Sequence, residues 1–267
     1  MQTIRALVSI VADSVAWWGG SVNTCRPLRA HCAQAADRSR ERRGMANTTT
    51  RPVITRLILV RHGETEGNLS QVWHGALDAP LTARGRAQVA ATAARLAQLH
   101  AHRPVDHLYV SPLPRAQSTA AAIAQATGLV AEVIDGLREF SIGDWEGRAF
   151  RDLRETEDLW GRWEADPHFA PPNGESPSSF NSRVVDVAQR LVAQHPGETL
   201  VAVTHGGVIG NLLASFVGDG PGDWRRFDPP NCSISILDWD GAQWTPVLIN
   251  DIGHLPAPAQ ADYLPDY

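Results

Sequence analysis

The sequence predicts an α/β fold, a three-layer α/β/α sandwich around a mainly parallel central sheet. Three observations predict it. Short continuous apolar runs alternate with helix-length segments along most of the chain, the pattern of strands buried on both faces and joined by crossover helices. Two of those runs stop at a histidine in a glycine-containing turn, where open parallel sheets present their ligand-binding groups. The chain has 267 residues, 43% hydrophobic and 20% charged, enough for one large core.

The elements follow in order. Residues 56–60 (RLILV) read as a fully buried strand. Thr82 is a good N-cap for a long Ala-rich helix reaching about residue 100. Residues 106–110 read as a second strand, followed by Ser111-Pro112-Leu113-Pro114 and a helix over 115–127. Residues 129–134 give a third strand and 136–148 a glycine-bearing loop. A Trp-bearing helix is predicted over 150–165, a Pro-rich loop over 167–178 and a helix over 180–194. Residues 199–204 are another buried strand, 207–217 a helix, and 232–239 with 244–249 two closing strands joined at Asp240-Gly241. No internal repeat is visible. The folded body is expected over residues 45–252, with 253–267 a loose tail.

Residues 1–44 are expected to be a dispensable extension. The stretch 4–18 is apolar but interrupted by Arg5 and Asp13, too short for a membrane span and too broken for a secretory signal. Residues 26–44 are rich in Arg, Ala and Ser, with little to pack, and Met45 opens an ordinary-looking start, Met-Ala-Asn-Thr-Thr-Thr.

Composition closes several options. All 24 basic side chains are arginine. A lysine Schiff base and a lysine-bearing phosphate loop are therefore excluded. Any anion must be held by arginine, histidine, hydroxyls and backbone amides. The head holds seven Arg against Asp13, Asp37 and Glu41, whereas the body is acidic, which argues against nucleic acid as a partner. Cys25, Cys32 and Cys232 make no disulfide framework and fit a reducing, cytoplasmic setting. No membrane partner is expected.

The two histidine turns are Leu59-Val60-Arg61-His62-Gly63-Glu64-Thr65 and Val203-Thr204-His205-Gly206-Gly207. Two histidines at matching strand ends point to a site, and the second turn runs into a helix whose free amides suit an anion. Arg61-His62-Gly63-Glu64-Thr65-x-x-Asn68 resembles the signature of the histidine phosphatase superfamily, also called phosphoglycerate mutase-like. The resemblance continues in register. Gly75-x-x-Asp78-x-Pro80-Leu81-Thr82-x-x-Gly85 is followed by Ser111-Pro112-Leu113-Pro114-Arg115-Ala116 and Leu137-Arg138-Glu139-Phe140-x-x-Gly143-x-Trp145-Glu146-Gly147. Gly174-Glu175-Ser176, a weaker block, and Thr204-His205-Gly206-Gly207 complete it.

The resemblance implies a phosphoglycerate mutase-like fold and an enzyme. His62 would attack phosphorus and become a phosphohistidine, and Glu139 would serve as general acid and then general base. Arg61 and Arg115 would clamp the phosphoryl group as bidentate forks, with His205 as a third positive donor. Asn68, Thr65 and Gly206 would contact phosphate or substrate oxygens. The arginines and histidines supply the positive charge, so neither metal nor cofactor is implied. The partner would be a small phosphorylated metabolite, met by a monomer or homo-oligomer.

Each residue has a plainer reading. Arg61 can pair with Glu64 or Glu66 at the strand end. Glu146 rivals Glu139 as the acid. Glu64 reads as structural. Trp145, Trp160 and Trp163 line a pocket or pack under a helical flap. His100, His102 and His107 read as surface residues without metal-ligand spacing, and Cys232 as a small core residue in a strand. Mutases of this family carry a longer insertion, with extra basic residues, between the acid and the second histidine; by that resemblance the short, mixed-charge interval from Glu139 to His205 favours a phosphatase over a mutase. A non-catalytic phospho-ligand binder is less favoured, because no catalytic position is lost.

Overall fold

The computed structural model describes residues 52–256, all within one unit, Thr50–Tyr267. The expectations for residues 1–44 and for the tail beyond 256 fall outside the described residues. In chain order the elements are β1 (Thr55–Arg61), α1 (Glu66–Leu69), α2 (Ala83–His102), β2 (His107–Val110), α3 (Pro114–Thr127) and β3 (Ala131–Val133). They continue as α4 (Phe150–Glu155), α5 (Leu159–Ala165), α6 (Pro177–Gln194), β4 (Thr199–Thr204), α7 (Gly206–Val217), β5 (Ile234–Trp239) and β6 (Trp244–Asp251).

The strands form one sheet in the order β3-β2-β4-β1-β5-β6. β3, β2, β4 and β1 run parallel, and β5 and β6 add an antiparallel edge. The mainly parallel sandwich read from the sequence is the observed architecture. Strand alternation builds its two faces. Leu57, Leu59, Leu200, Ala202 and Leu237 pack against α6 and α7. Ile58, Val60, Val201, Val203 and Ile236 face the opposite way, onto α2 and α3. Both faces of β1 and β4 are covered, which is why their sequences read as unbroken apolar runs.

Local chemistry sets the element ends. The Thr82 hydroxyl accepts from the Gly85 N–H and caps α2. α6 starts at Pro177 rather than residue 180, because Ser176 and Ser179 cap one another reciprocally and Pro177 suits the first turn. The helix predicted over 150–165 is two short helices. Asp158 sits in the left-handed region at φ 47°, which an aspartate tolerates, and breaks the run between them. Their apolar sides close over Ile142, Leu153 and Leu159, with Trp73, Trp145, Trp160, Trp163 and Phe169 packed around. Trp145, Trp160 and Trp163 thus take part in the packing of this helical flap.

Other boundaries differ from the sequence reading as well. Cys232 precedes β5 and takes φ 59° in a turn; it is fully buried, and burial pushes its thiol up to about 12. Packing also continues past residue 252. Leu255 is buried against Val89 and Cys232, and His254 Nε2 lies 2.9 Å from Thr92 Oγ1, so the packed body extends past the predicted boundary at 252. No helix among the described residues is long and apolar enough to cross a membrane.

Candidate active site

Three adjacent parallel strands, β1, β4 and β2, deliver His62, His205 and Ser111 at their carboxyl ends. Arg61 pairs with Thr204 in the β1–β4 register, so the two histidines follow side by side. The His62 N–H donates to the Thr204 carbonyl at 3.0 Å, and the imidazole centroids lie 5.2 Å apart. Both rings are buried, as are Arg61 and Arg115.

The protonation pattern of His62 can be read from its partners. Its Nδ1 faces the Gly63 carbonyl at 2.8 Å, so Nδ1 carries the proton and donates it. Nε2 then holds the lone pair. Arg115 Nε donates to that Nε2 at 3.3 Å. Burial, with Arg115 and Arg61 beside it, holds the His62 imidazole well below its ordinary value. His205 is held well below its ordinary value too, by burial and then by Arg115, His62, Arg61 and Arg183. That direction favours a neutral His205 ring, which offers one N–H donor. Its Nε2 is 2.6 Å from Ser111 Oγ, and its Nδ1 has no hydrogen-bond partner among the described residues.

The arginines are held by carbonyls. Arg61 Nη1 donates to Pro229 O at 2.6 Å, and the ion pair with Glu64 or Glu66 is not formed. Glu64 instead accepts from Thr82 Oγ1 at 2.6 Å and from Arg84, a structural role that ties the histidine turn to α2. Gly85 permits this close approach, since a Cβ there would stand 2.0 Å from Glu64 O. Arg115 Nη1 and Nη2 donate to Leu77 O at 2.7 Å and Gly75 O at 2.6 Å.

The two acids separate by environment. Glu139 accepts from the Phe140 N–H at 2.9 Å and from the Gly207 N–H at 3.0 Å, at the amino end of α7. A Cβ on Gly207 would lie 2.5 Å from Glu139 Oε1, so a side chain there would displace the Glu139 carboxylate. Glu146 accepts from Ser141 Oγ at 2.6 Å and from the Ala76 N–H at 3.1 Å, bracing one loop against another.

Thr65 and Asn68 form a reciprocal cap on α1. The Thr65 hydroxyl donates to Asn68 Oδ1 at 3.1 Å and accepts from the Asn68 N–H. Its buried hydroxyl is engaged within the motif, where it holds Asn68. Gly206 opens α7 directly behind the Arg61 guanidinium. Three contributors had no role in the sequence reading. Ser111 orients His205, and the strand-end logic that finds the histidines also finds it. Asn231 donates to His62 O and Asn68 Oδ1, while the Cys232 N–H reaches the Arg61 and His62 carbonyls from a turn without a sequence signal.

The chain is similar to known proteins over most of its length. Residues 57–252 match the family model of the histidine phosphatase superfamily, branch 1. A probable phosphoglycerate mutase of Cronobacter sakazakii is 33% identical over 213 residues, covering 77% of this chain and 97% of the relative. Among solved structures, a putative α-ribazole-5′-phosphate phosphatase of Escherichia coli is 32% identical with a TM-score of 0.64, covering 74% of this chain and 96% of its own. A mycobacterial glucosyl-3-phosphoglycerate phosphatase is 30% identical with a TM-score of 0.64, at 74% and 99% coverage. A phosphoserine phosphatase of Entamoeba histolytica, solved with phosphoserine, is 28% identical with a TM-score of 0.66, at 76% and 100%. The chain belongs to the histidine phosphatase superfamily and is an enzyme of that family.

Proposed function

We propose that the chain is a metal-independent phosphomonoester hydrolase for small phosphorylated metabolites, working through a phosphohistidine on His62. The observation that carries this reading is the His62 tautomer. Nδ1–H is tied to the Gly63 carbonyl, leaving the Nε2 lone pair among Arg61, Arg115 and His205. A lowered histidine pKa keeps that lone pair available, and fixed cations stabilise charge on a transferring phosphoryl group.

His62 Nε2 attacks phosphorus as the ester P–O bond breaks, and Glu139 gives its proton to the departing alkoxide. Water then gives a proton back to Glu139 and adds to phosphorus as the P–N bond breaks, releasing inorganic phosphate and free His62. His205 donates one N–H to a phosphoryl oxygen, Asn68 donates from its side-chain amide, and Gly206 lets the backbone approach. Solved relatives named as phosphatases of α-ribazole 5′-phosphate, glucosyl-3-phosphoglycerate and phosphoserine support a hydrolase of small esters.

Relatives named as phosphoglycerate mutases favour a second reading, return of the phosphoryl group to another hydroxyl. A panel of metabolite phosphates assayed with chelator present tests the first. Turnover is expected, with a trapped phosphohistidine that is missing in His62→Ala. No turnover on any phosphomonoester overturns it. Single-turnover partitioning mainly to phosphoglycerate rather than water establishes the mutase instead.

A further inference from the structure

We propose that the end of the sheet opposite the candidate active site binds a divalent transition metal of the Zn2+, Co2+ or Ni2+ type through His107, His195 and Glu198. His107 opens β2, and Glu198 lies just before β4, so both stand at the amino ends of strands whose carboxyl ends lead to Ser111 and His205. His195 caps the carboxyl end of α6. The sequence reading left His107 as a surface residue, because its two companions lie far along the chain.

The donor atoms converge. His107 Nε2 is 3.0 Å and His195 Nδ1 is 2.8 Å from the same oxygen, Glu198 Oε2. One ligand atom from each residue lies within 4.8 Å of the others, and the two imidazole centroids are 4.0 Å apart. A carboxylate only accepts, so these contacts place a proton on each facing ring nitrogen. A metal ion replaces both protons and takes two nitrogen lone pairs and the carboxylate oxygen. With metal–ligand bonds of about 2.0–2.2 Å, donors this close need only small movements to embrace one ion. Two imidazoles and a carboxylate favour borderline ions over Mg2+ or Ca2+. All three side chains are partly exposed, so water can complete the coordination.

The scaffold under these ligands is fixed. The His195 carbonyl accepts from Thr55 Oγ1 at 3.1 Å and from the Glu198 N–H at 3.2 Å, and Thr55 Oγ1 in turn accepts from the Gly197 N–H at 2.9 Å. Next to them the Thr199 N–H donates to Asp106 Oδ2 at 2.8 Å, locking the starts of β4 and β2 together. The other nitrogen of His195, Nε2, lies 2.8 Å from the Tyr109 hydroxyl. Metal-bound histidines habitually donate their second N–H; once an ion takes Nδ1, His195 Nε2 carries the proton and the Tyr109 hydroxyl is placed to accept it. The bound ion would pin the start of β2, the end of α6 and the start of β4.

The test uses the full chain stripped by chelator, with Zn2+ in equilibrium dialysis and Co2+ followed by its visible absorption. One equivalent at this site is expected, with a rise in the unfolding midpoint on adding Zn2+. Glu198→Gln and His195→Ala should lose the bound equivalent, the Co2+ bands and the midpoint shift. Tyr109→Phe should weaken binding by about 10- to 100-fold. His62→Ala, and a double Cys25→Ser, Cys32→Ser variant, should keep all three signals. Circular dichroism checks each fold, and His107→Gln carries the same expectation if His195→Ala does not fold. Failure of wild type to hold Zn2+, or an unchanged equivalent in Glu198→Gln and His107→Gln, overturns the proposal.

Discussion

At the scale of single residues, environment separates two similar groups. Glu139 and Glu146 lie seven positions apart in one loop. Glu146 is bound to a hydroxyl and an amide of its own scaffold, whereas Glu139 rests on the first turn of α7 beside the histidines. Glu139→Gln is expected to slow alkyl phosphates by about 10²–10⁴-fold and p-nitrophenyl phosphate far less, since that leaving group hardly needs a proton. Equal losses would point to another acid. The histidines make a pH prediction. Their folded values lie below the ordinary 6.5, so between the two values the unfolded chain binds more protons than the folded one. Stability is then complete above about 6.5 and is lost as pH falls through the folded values. Acid scans of the unfolding midpoint should show this fall, and the His62 ring should titrate below 6.5 by NMR. In Arg115→Ala, which lacks one of the charges that depress it, the titration should move up; an unmoved titration would remove Arg115 from the cause.

At the scale of elements, the loop that carries Glu139 is fixed from α6. Arg183 donates to Gly136 O and Arg138 O at 2.9 Å, and it grips the Glu175 carboxylate at 2.7 and 2.6 Å. Glu175 in turn accepts from the Ser141 N–H. This clamp brackets Glu139 on both sides in sequence. Arg183→Lys keeps the charge but loses the fork. It is expected to lower kcat on alkyl phosphates by roughly tenfold, with little change for p-nitrophenyl phosphate, if the clamp serves proton transfer. Parallel losses would mean a purely structural brace. The strands, long helices and histidine turns were legible in the sequence because burial on both faces and helix caps leave local patterns. The clamp and the Pro229–Cys232 turn were not, since their contacts join residues dozens of positions apart. The split at Asp158 escaped for another reason, a single backbone angle that an aspartate permits but does not require.

At the scale of the whole molecule, every site contact described lies between Arg61 and Cys232. If residues 1–44 are the dispensable extension their composition suggests, a chain starting at Met45 keeps wild-type kcat/KM and unfolding midpoint; a loss in either would assign residues 1–44 a part in the enzyme. The sheet order also separates two kinds of change. His62 and His205 stand on neighbouring hydrogen-bonded strands, and their 5.2 Å separation is close to the strand spacing of about 4.8 Å. The backbone thus acts as the ruler for the reacting group, and no side-chain replacement away from these strands resets it. Loops 71–81 and 136–148 and the tryptophan flap are not ruled in this way. On the proposed function, differences in ester preference are expected to arise there, with the width of the phosphoryl seat unchanged.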